Sequence, residues 1–324
     1  MRVLLVKMSS LGDVVHTLAP VTDAVCANPA LQFDWVVEET YDAIPRWHPA
    51  VLRVIPVALR RWRRSPWSML RENEWFRFRA DLRKGEYDLV LDAQGLMKSG
   101  WIGTQARGPL VGRSRNSARE PLAAAFYGRR YEVDLNLPEV EQIRQLFALA
   151  LGYPQPKTPA NFGIDRSRIS SGGPCVQSAV LVHAAAWRNK LWPVENWRAL
   201  GRYLAGCGLK VLLPWGNDEE KCRAEQIVGH CGGEVLPKLG LPDLAAVLAD
   251  ARVVVGLDTG LTHIAIALGS PTVTLYGPSI PVYDRVASGK VVHLSSTESR
   301  EVDTNRPNLV PLSAVFDAVE RLMD

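Results

Sequence analysis

Several large protein classes are closed off by what the sequence lacks. Its 324 residues hold five cysteines (Cys26, Cys175, Cys207, Cys222 and Cys231), odd in number and never spaced C-x-x-C. Thiols so scattered build neither a disulfide framework nor a thiolate zinc site, and they suit a reducing compartment. No apolar run approaches the ~20 residues of a membrane-spanning helix. Near the N-terminus only Val3-Leu4-Leu5-Val6 are apolar in succession. A signal peptide needs a core of ~7–15 apolar residues, so the segment reads as a first strand and a cytoplasmic protein is expected. There is no short repeat and no low-complexity tract. Charge of one sign is also missing overall: 38 Lys and Arg against 34 Asp and Glu give +4, which excludes a histone-like binder. A hydrophobic share of 47% with 22% charged residues excludes wholesale disorder.

What is present is unevenly placed. Residues 46–130 carry 18 Lys and Arg against 7 Asp and Glu, whereas residues 151–324 carry 17 of each. The basic excess therefore lies in one stretch of the N-terminal half. A length of 324 residues fits two domains at the usual ~150 residues each.

Short apolar runs alternate with longer amphipathic ones, the pattern of βαβ units and parallel sheets. Strands are expected near 2–7, 33–38, 52–57, 87–92 and 109–112, with helices near 13–27, 68–84, 98–106 and 139–151. Pro154, Pro156, Pro159, Pro174 and Ser170-Ser171-Gly172-Gly173 then interrupt the pattern, as a linker does. The alternation resumes with strands near 178–183, 209–214, 234–236, 252–256, 272–276 and 291–294. Helices are expected near 194–206, 218–231, 241–250, 260–268 and 311–323. The expected organisation is α/β: a domain over 1–152, a linker over 153–175 and a second domain over 176–324. The last helix is free to pack back on the first domain. Two such domains facing across a cleft would bind ligands at the carboxyl ends of their strands.

Two strand-to-helix loops carry most of the chemistry. In Lys7-Met8-Ser9-Ser10-Leu11-Gly12-Asp13, the small residues suit a tight turn whose N–H groups can meet an anion or a sugar. With one glycine, the three-glycine dinucleotide fingerprint is absent, which argues against a dehydrogenase. Asp13 is either a first-turn aspartate favoured by the helix dipole or a general base. His16 follows it as a possible neighbour or as a helix histidine. The second loop is Gly256-Leu257-Asp258-Thr259-Gly260-Leu261-Thr262-His263, after a β-branched strand. Gly260 permits close backbone approach, and the helix start offers N–H donors to a pyrophosphate. Asp258 would then meet a sugar hydroxyl or a cation, or serve only as a cap.

Lys190, ahead of Pro193, is positioned to reach phosphate unless it is a plain surface lysine. Glu219 and Glu220 follow Leu213-Pro214-Trp215-Gly216 and suit ribose hydroxyls, or merely a helix start. Tyr276-Gly277-Pro278 reads as a turn after the last core strand. In the basic stretch, Arg60, Arg61, Arg63 and Arg64 surround Trp62, and Ser65-Pro66 reads as a helix start. Trp67, Trp75, Phe76 and Phe78 with Arg71, Arg77 and Arg79 lie beyond it. Arginine with aromatics suits a membrane interface or a phosphorylated lipid. Nucleic acid is the competing partner. Trp75, Phe78 and Leu82, at helical spacing, read equally as core.

With these segments the sequence resembles the ADP-heptose:lipopolysaccharide heptosyltransferases, glycosyltransferase family 9. The resemblance runs through Lys7–Asp13, Trp35-Val36-Val37-Glu38-Glu39, Arg60-Arg61-Trp62-Arg63 and Asp92-Ala93-Gln94-Gly95-Leu96. It continues in Ala118-Arg119-Glu120-Pro121-Leu122, Leu213–Gly216 and Asp258–His263. The Arg/Trp and Ala-Arg-Glu-Pro-Leu segments favour the member that adds the first heptose over the later-acting ones. The resemblance implies a GT-B fold of two Rossmann-like domains, the acceptor on the first and the nucleotide-sugar on the second. It implies Asp13 as general base of an inverting transfer from ADP-heptose to the Kdo of Kdo2-lipid A. Lys190, Glu220, Asp258, Thr259, Gly260 and His263 would line the donor site; Ser10, Arg60, Arg61, Arg63, Arg64 and Arg119 fall on the acceptor side. Residues Ala185 and Ala186 depart from the family, which often has hydroxyl residues there. No cofactor, no metal and no nucleic acid are expected, since metal-ligand spacing and a D-x-D pair are missing from both loops. The expected place is the cytoplasmic face of a Gram-negative inner membrane, as a peripheral protein. A later-acting heptosyltransferase and a nucleotide-sugar-binding module without turnover are the alternatives.

Overall fold

The structure is a computed structural model that describes residues 1–324 apart from 66, 68–71, 170–176, 230, 278–285, 288–289 and 297–307. The expected features at Pro66, Arg71, Ser170–Pro174 and Pro278 lie outside the described residues. The chain divides into two compact units, Met1–Asp165 and Arg166–Asp324.

In the first unit the strands are β1 (Arg2–Val6), β2 (Gln32–Glu38), β3 (Val51–Val57), β4 (Leu89–Asp92), β5 (Leu110–Arg113) and β6 (Arg129–Tyr131). They form one sheet in the order β3-β2-β1-β4-β5-β6, every pairing parallel. Central strands of such a sheet are covered on both faces, so they are apolar throughout rather than alternating. Val3, Leu4, Leu5 and Val6 accordingly have no exposed surface. Pro56 is admitted in β3 because β3 is an edge strand. The other edge, β6, is three residues of Arg and Tyr, too short and polar to register as a strand in the sequence.

The helices are α1 (Leu11–His16), α2 (Leu18–Ala27), α3 (Ala43–Arg46), α4 (Leu59–Arg64), α5 (Glu74–Leu82), α6 (Met97–Gly103) and α7 (Glu139–Leu151). The single helix expected over 13–27 is two, parted at Thr17. Arg60–Arg64 belong to a helix of their own, α4, rather than to a lead-in. Helix α7 follows Pro138 and stops at Gly152, whose φ of 77° is the left-handed cap that glycine allows. Arg144 of α7, 1% exposed, is held by Asp23 of α2 through Nε at 2.6 Å and Nη2 at 3.1 Å.

The second unit repeats the design. Strands β7 (Ser178–Val182), β8 (Lys210–Leu213), β9 (Glu234–Val235), β10 (Val253–Leu257), β11 (Thr272–Tyr276) and β12 (Val291–Ser295) are ordered β12-β11-β10-β7-β8-β9, again all parallel. In each sheet the strand order thus reverses between the first and fourth strands, β1/β4 and β7/β10, where doubly wound sheets bind ligands. Helices α8 (Val194–Gly206), α9 (Asp218–Val228), α10 (Leu241–Asp250), α11 (Gly260–Ala267) and α12 (Leu312–Met323) connect and cover the strands. The last helix, α12, packs against β10, β11, β12 and α8 of its own unit.

Candidate active site

The first loop leaves the carboxyl end of β1. Asp13, 8% exposed, is the third residue of the first turn of α1, and its Oδ2 accepts from Ser10 N at 2.7 Å and Ser10 Oγ at 2.9 Å. The capping reading of Asp13 holds: one oxygen closes a capping box with Ser10, and the other faces charged partners. Oδ1 lies 3.0 Å from Arg119 Nη2 and 3.8 Å from Lys7 Nζ. Burial opposes ionisation of Asp13, but Lys7 and then Arg119 outweigh it and hold the carboxyl well below the usual carboxylate range. Lys7 is itself fully enclosed, and burial lowers its proton affinity.

Arg119 arrives from a distant segment, and the loop after β4 prepares its seat. Buried Asp92 accepts from Ser99 Oγ and Tyr127 Oη, both at 2.7 Å, and from Gln94 N at 2.8 Å. Gly95, at φ 70°, accepts from Glu120 N at 3.0 Å, and a Cβ there would stand 3.4 Å from Arg119 N. A side chain at position 95 would strain the backbone and press on the segment carrying Arg119.

Sequence reading passed over two members of this cluster. Lys7 belongs to the loop motif but gave no sign of facing Asp13. Glu139, at the start of α7, hydrogen-bonds Arg119 and gave no local signal at all. Asp13, His16 and Glu139 bring ligand atoms within 4.8 Å of one another, the one such grouping among the described residues. Arg119 and Lys7 already occupy the Asp13 carboxylate, and their charge repels a cation.

In α4 the four arginines are exposed and Trp62 is not. Trp62 is 7% exposed and packs edge-on against Trp75 and Phe78, so it belongs to the core rather than to a surface. Arg60 donates to Tyr41 Oη at 2.7 Å, and Arg61 is tied to Glu39 and Glu74. Arg63 and Arg64 have no partner among the described residues. Phe78 and Leu82 are core as well; Trp67 (83%), Phe76 (58%) and Trp101 (44%) are exposed.

In the second unit, β10 ends in the Asp258 loop. Gly256 is required there, since a Cβ would fall 2.2 Å from Thr262 Oγ1 and 3.0 Å from Val182 Cβ. Lys190 Nζ lies 2.6 Å from Asp258 Oδ2, and His263 Nε2 lies 3.2 Å from Oδ1. Burial works against the Asp258 charge, yet His263 and then Lys190 hold the carboxyl well below its ordinary value. Thr259, at the helix cap, has a buried Oγ1 with no partner. Lys190 thus spends its charge on Asp258. Glu220 accepts from Gly216 N at 2.7 Å and Asn217 Nδ2 at 2.9 Å while lining a cavity of about 390 Å³. Ala184, Ala185 and Ala186 form one wall, and Arg188 and Arg223, which sequence reading passed over, supply cations to it.

Residues 75–312 match the family model described as Glycosyltransferase family 9 (heptosyltransferase). The chain belongs to glycosyltransferase family 9. It is similar to lipopolysaccharide heptosyltransferase 1 of Pseudomonas aeruginosa, 49% identical over 298 residues that cover 91% of this chain and 84% of that one. Its structure resembles E. coli heptosyltransferase WaaC solved with ADP, at a TM-score of 0.87 and 41% identity, covering 99% of this chain and 100% of that one. The same enzyme solved with ADP-2-deoxy-2-fluoro heptose gives a TM-score of 0.84 at 42% identity, with 99% of each chain covered. A lipooligosaccharide heptosyltransferase 2, from Haemophilus ducreyi, reaches only 30% identity over 35% of this chain. The later-acting alternative is therefore not favoured. This family 9 chain is a glycosyltransferase of GT-B fold that transfers heptose in lipopolysaccharide inner-core synthesis.

Proposed function

We propose that this family 9 enzyme moves L-glycero-D-manno-heptose from ADP-heptose to a Kdo hydroxyl of Kdo2-lipid A, with inversion and without a metal ion. The observation that carries the mechanism is the ionised Asp13 at the carboxyl end of β1, between Lys7 and Arg119. As the acceptor oxygen bonds to the anomeric carbon, its proton passes to Asp13. The bond from that carbon to the β-phosphate breaks, and its electron pair leaves with ADP. One displacement inverts the centre. Lys190 exchanges Asp258 for the β-phosphate, and the N–H groups at Gly260 assist it. Arg188 and Arg223 offer the phosphates the hydrogen-bond donors that Ala185 and Ala186, lacking hydroxyl groups, cannot. Glu220 keeps accepting from Gly216 N and Asn217 Nδ2 and offers its remaining lone pairs to ribose.

The acceptor's phosphates and carboxylates belong with Arg63 and Arg64, the unpartnered cations of α4, and with Ser10, Arg60 and Arg119. Exposed Trp67, Phe76 and Trp101 fit a peripheral contact with the cytoplasmic face of an anionic inner membrane. No helix among the described residues is long and apolar enough to cross a membrane. Arg63→Ala with Arg64→Ala raises the acceptor KM about tenfold and leaves the donor KM unchanged. Weakened donor binding in initial-rate kinetics would reverse this assignment of sides.

The function is tested by ADP release from ADP-heptose with Kdo2-lipid A, and with the same acceptor already carrying its first heptose. Release is expected only with the unheptosylated acceptor, and undiminished in excess chelator. A requirement for the heptosylated acceptor would refute the substrate. Loss of activity on chelation would refute catalysis without a metal.

A further inference from the structure

Asp13 sits under more positive charge than a general base tolerates easily. Lys7 approaches from the end of β1 and Arg119 from the loop after β5, and each cation makes the carboxylate a weaker proton acceptor. A base works best when its proton affinity is near the working pH. The second carboxylate of the cluster opposes those cations. Glu139, in the first turn of α7, shares the Arg119 guanidinium with Asp13, so the three groups form a carboxylate–guanidinium–carboxylate bridge.

We propose that Glu139 is a positioning residue for Asp13: it holds Arg119 in this bridge and so fixes where the guanidinium meets the Asp13 carboxylate. This rests on the reading of Asp13 as the base. The groups facing Glu139 are Lys7 from β1, Asp13 and His16 from α1, Arg113 from β5 and Arg119. Burial first, and then the Asp13 carboxylate, push the Glu139 carboxyl up. The two acids therefore titrate as a coupled pair, the first proton going mainly to Glu139. Half-buried at a helix start, Glu139 is not part of the core, and its role is separable from folding.

The test compares Glu139→Gln, Glu139→Asp and Asp13→Ala with the unmodified enzyme in kcat and in the pH dependence of kcat/KM, with thermal unfolding followed in parallel. Glu139→Gln is expected to lower kcat about tenfold, leave the donor KM unchanged and move the acid limb to lower pH. Glu139→Asp keeps the charge and restores both the limb and most of the turnover. Superimposable profiles for folded Glu139→Gln and wild type overturn the proposal, as does a folded Glu139→Asp that restores nothing. If Asp13→Ala is inactive in that case, Asp13 remains the base and only the role of Glu139 is lost. An Asp13→Ala variant with normal turnover removes both.

Discussion

Replacing Asp13 by alanine lowers kcat on the order of 10²–10⁴-fold, the usual contribution of a positioned proton acceptor. The substitution removes two things at once, because Oδ2 closes the capping box with Ser10 while Oδ1 faces Arg119 and Lys7. Loss of a cap costs about 0.5–2 kcal/mol of stability. Asp13→Asn separates the two, since the amide oxygen still accepts from Ser10 but the side chain no longer binds a proton. Turnover in the asparagine variant should fall nearly as far as in the alanine variant, with a smaller drop in Tm. An asparagine variant with near-normal kcat would leave Asp13 a capping residue alone. The pH dependence has a definite sign. Asp13's folded-state proton affinity is depressed, so its stabilising charge is present above the unfolded carboxylate range and lost as pH falls through that range and below.

Lys190→Ala lowers kcat about 10²–10³-fold, as expected when one fixed donor to developing leaving-group charge is removed. The donor KM rises with it, because the ammonium meets phosphate before as well as during bond breaking. Without Lys190 the Asp258 carboxylate keeps His263 Nε2 at 3.2 Å and loses a 2.6 Å contact. Its negative charge is then left near the position of the leaving phosphate. Lys190→Ala combined with Asp258→Asn should therefore recover part of the rate that Lys190→Ala alone loses. Burst and steady-state measurements of ADP formation read both effects. If the double variant is no faster than the single one, the Lys190–Asp258 pair does not exchange partners as the mechanism requires.

Much of the fold was legible because its physics is local. Parallel strands buried on both faces must be short apolar runs, and β1, β7, β10 and β11 are such runs. Proline and glycine marked the ends of α7 and the start of α8. The elements that escaped are those without an apolar signature: β6, an edge strand, α3, a single turn, and α4, which is four arginines in six residues. The break at Thr17 in the helix expected over 13–27 escaped as well, because nothing in the side-chain pattern marks it.

The site was legible in its loops and not in its pairings. Asp13, Lys190, Asp258 and His263 announced themselves as polar residues at strand ends, where backbone donors are free. That Arg119, 106 residues from Asp13, would reach its carboxylate is a consequence of β4 and β5 lying beside β1. Trp62 illustrates the same limit: among four arginines it reads as a surface aromatic, yet Trp75 and Phe78 close over it.

The mild net charge of +4 shows where the division falls. By itself the sequence determined that the chain is two α/β units, that the basic excess lies in residues 46–130, and which loops carry the chemistry. Periodicity, turn chemistry and charge are properties of neighbours in the chain. Only the tertiary structure decided which of those charges are spent. Arg61 is paired with Glu39 and Glu74, Arg63 and Arg64 have no partner among the described residues, and Lys7, Arg119 and Glu139 gather on Asp13. A charge acts through its distance to other charges and through the water it has lost, and the order of the strands sets both.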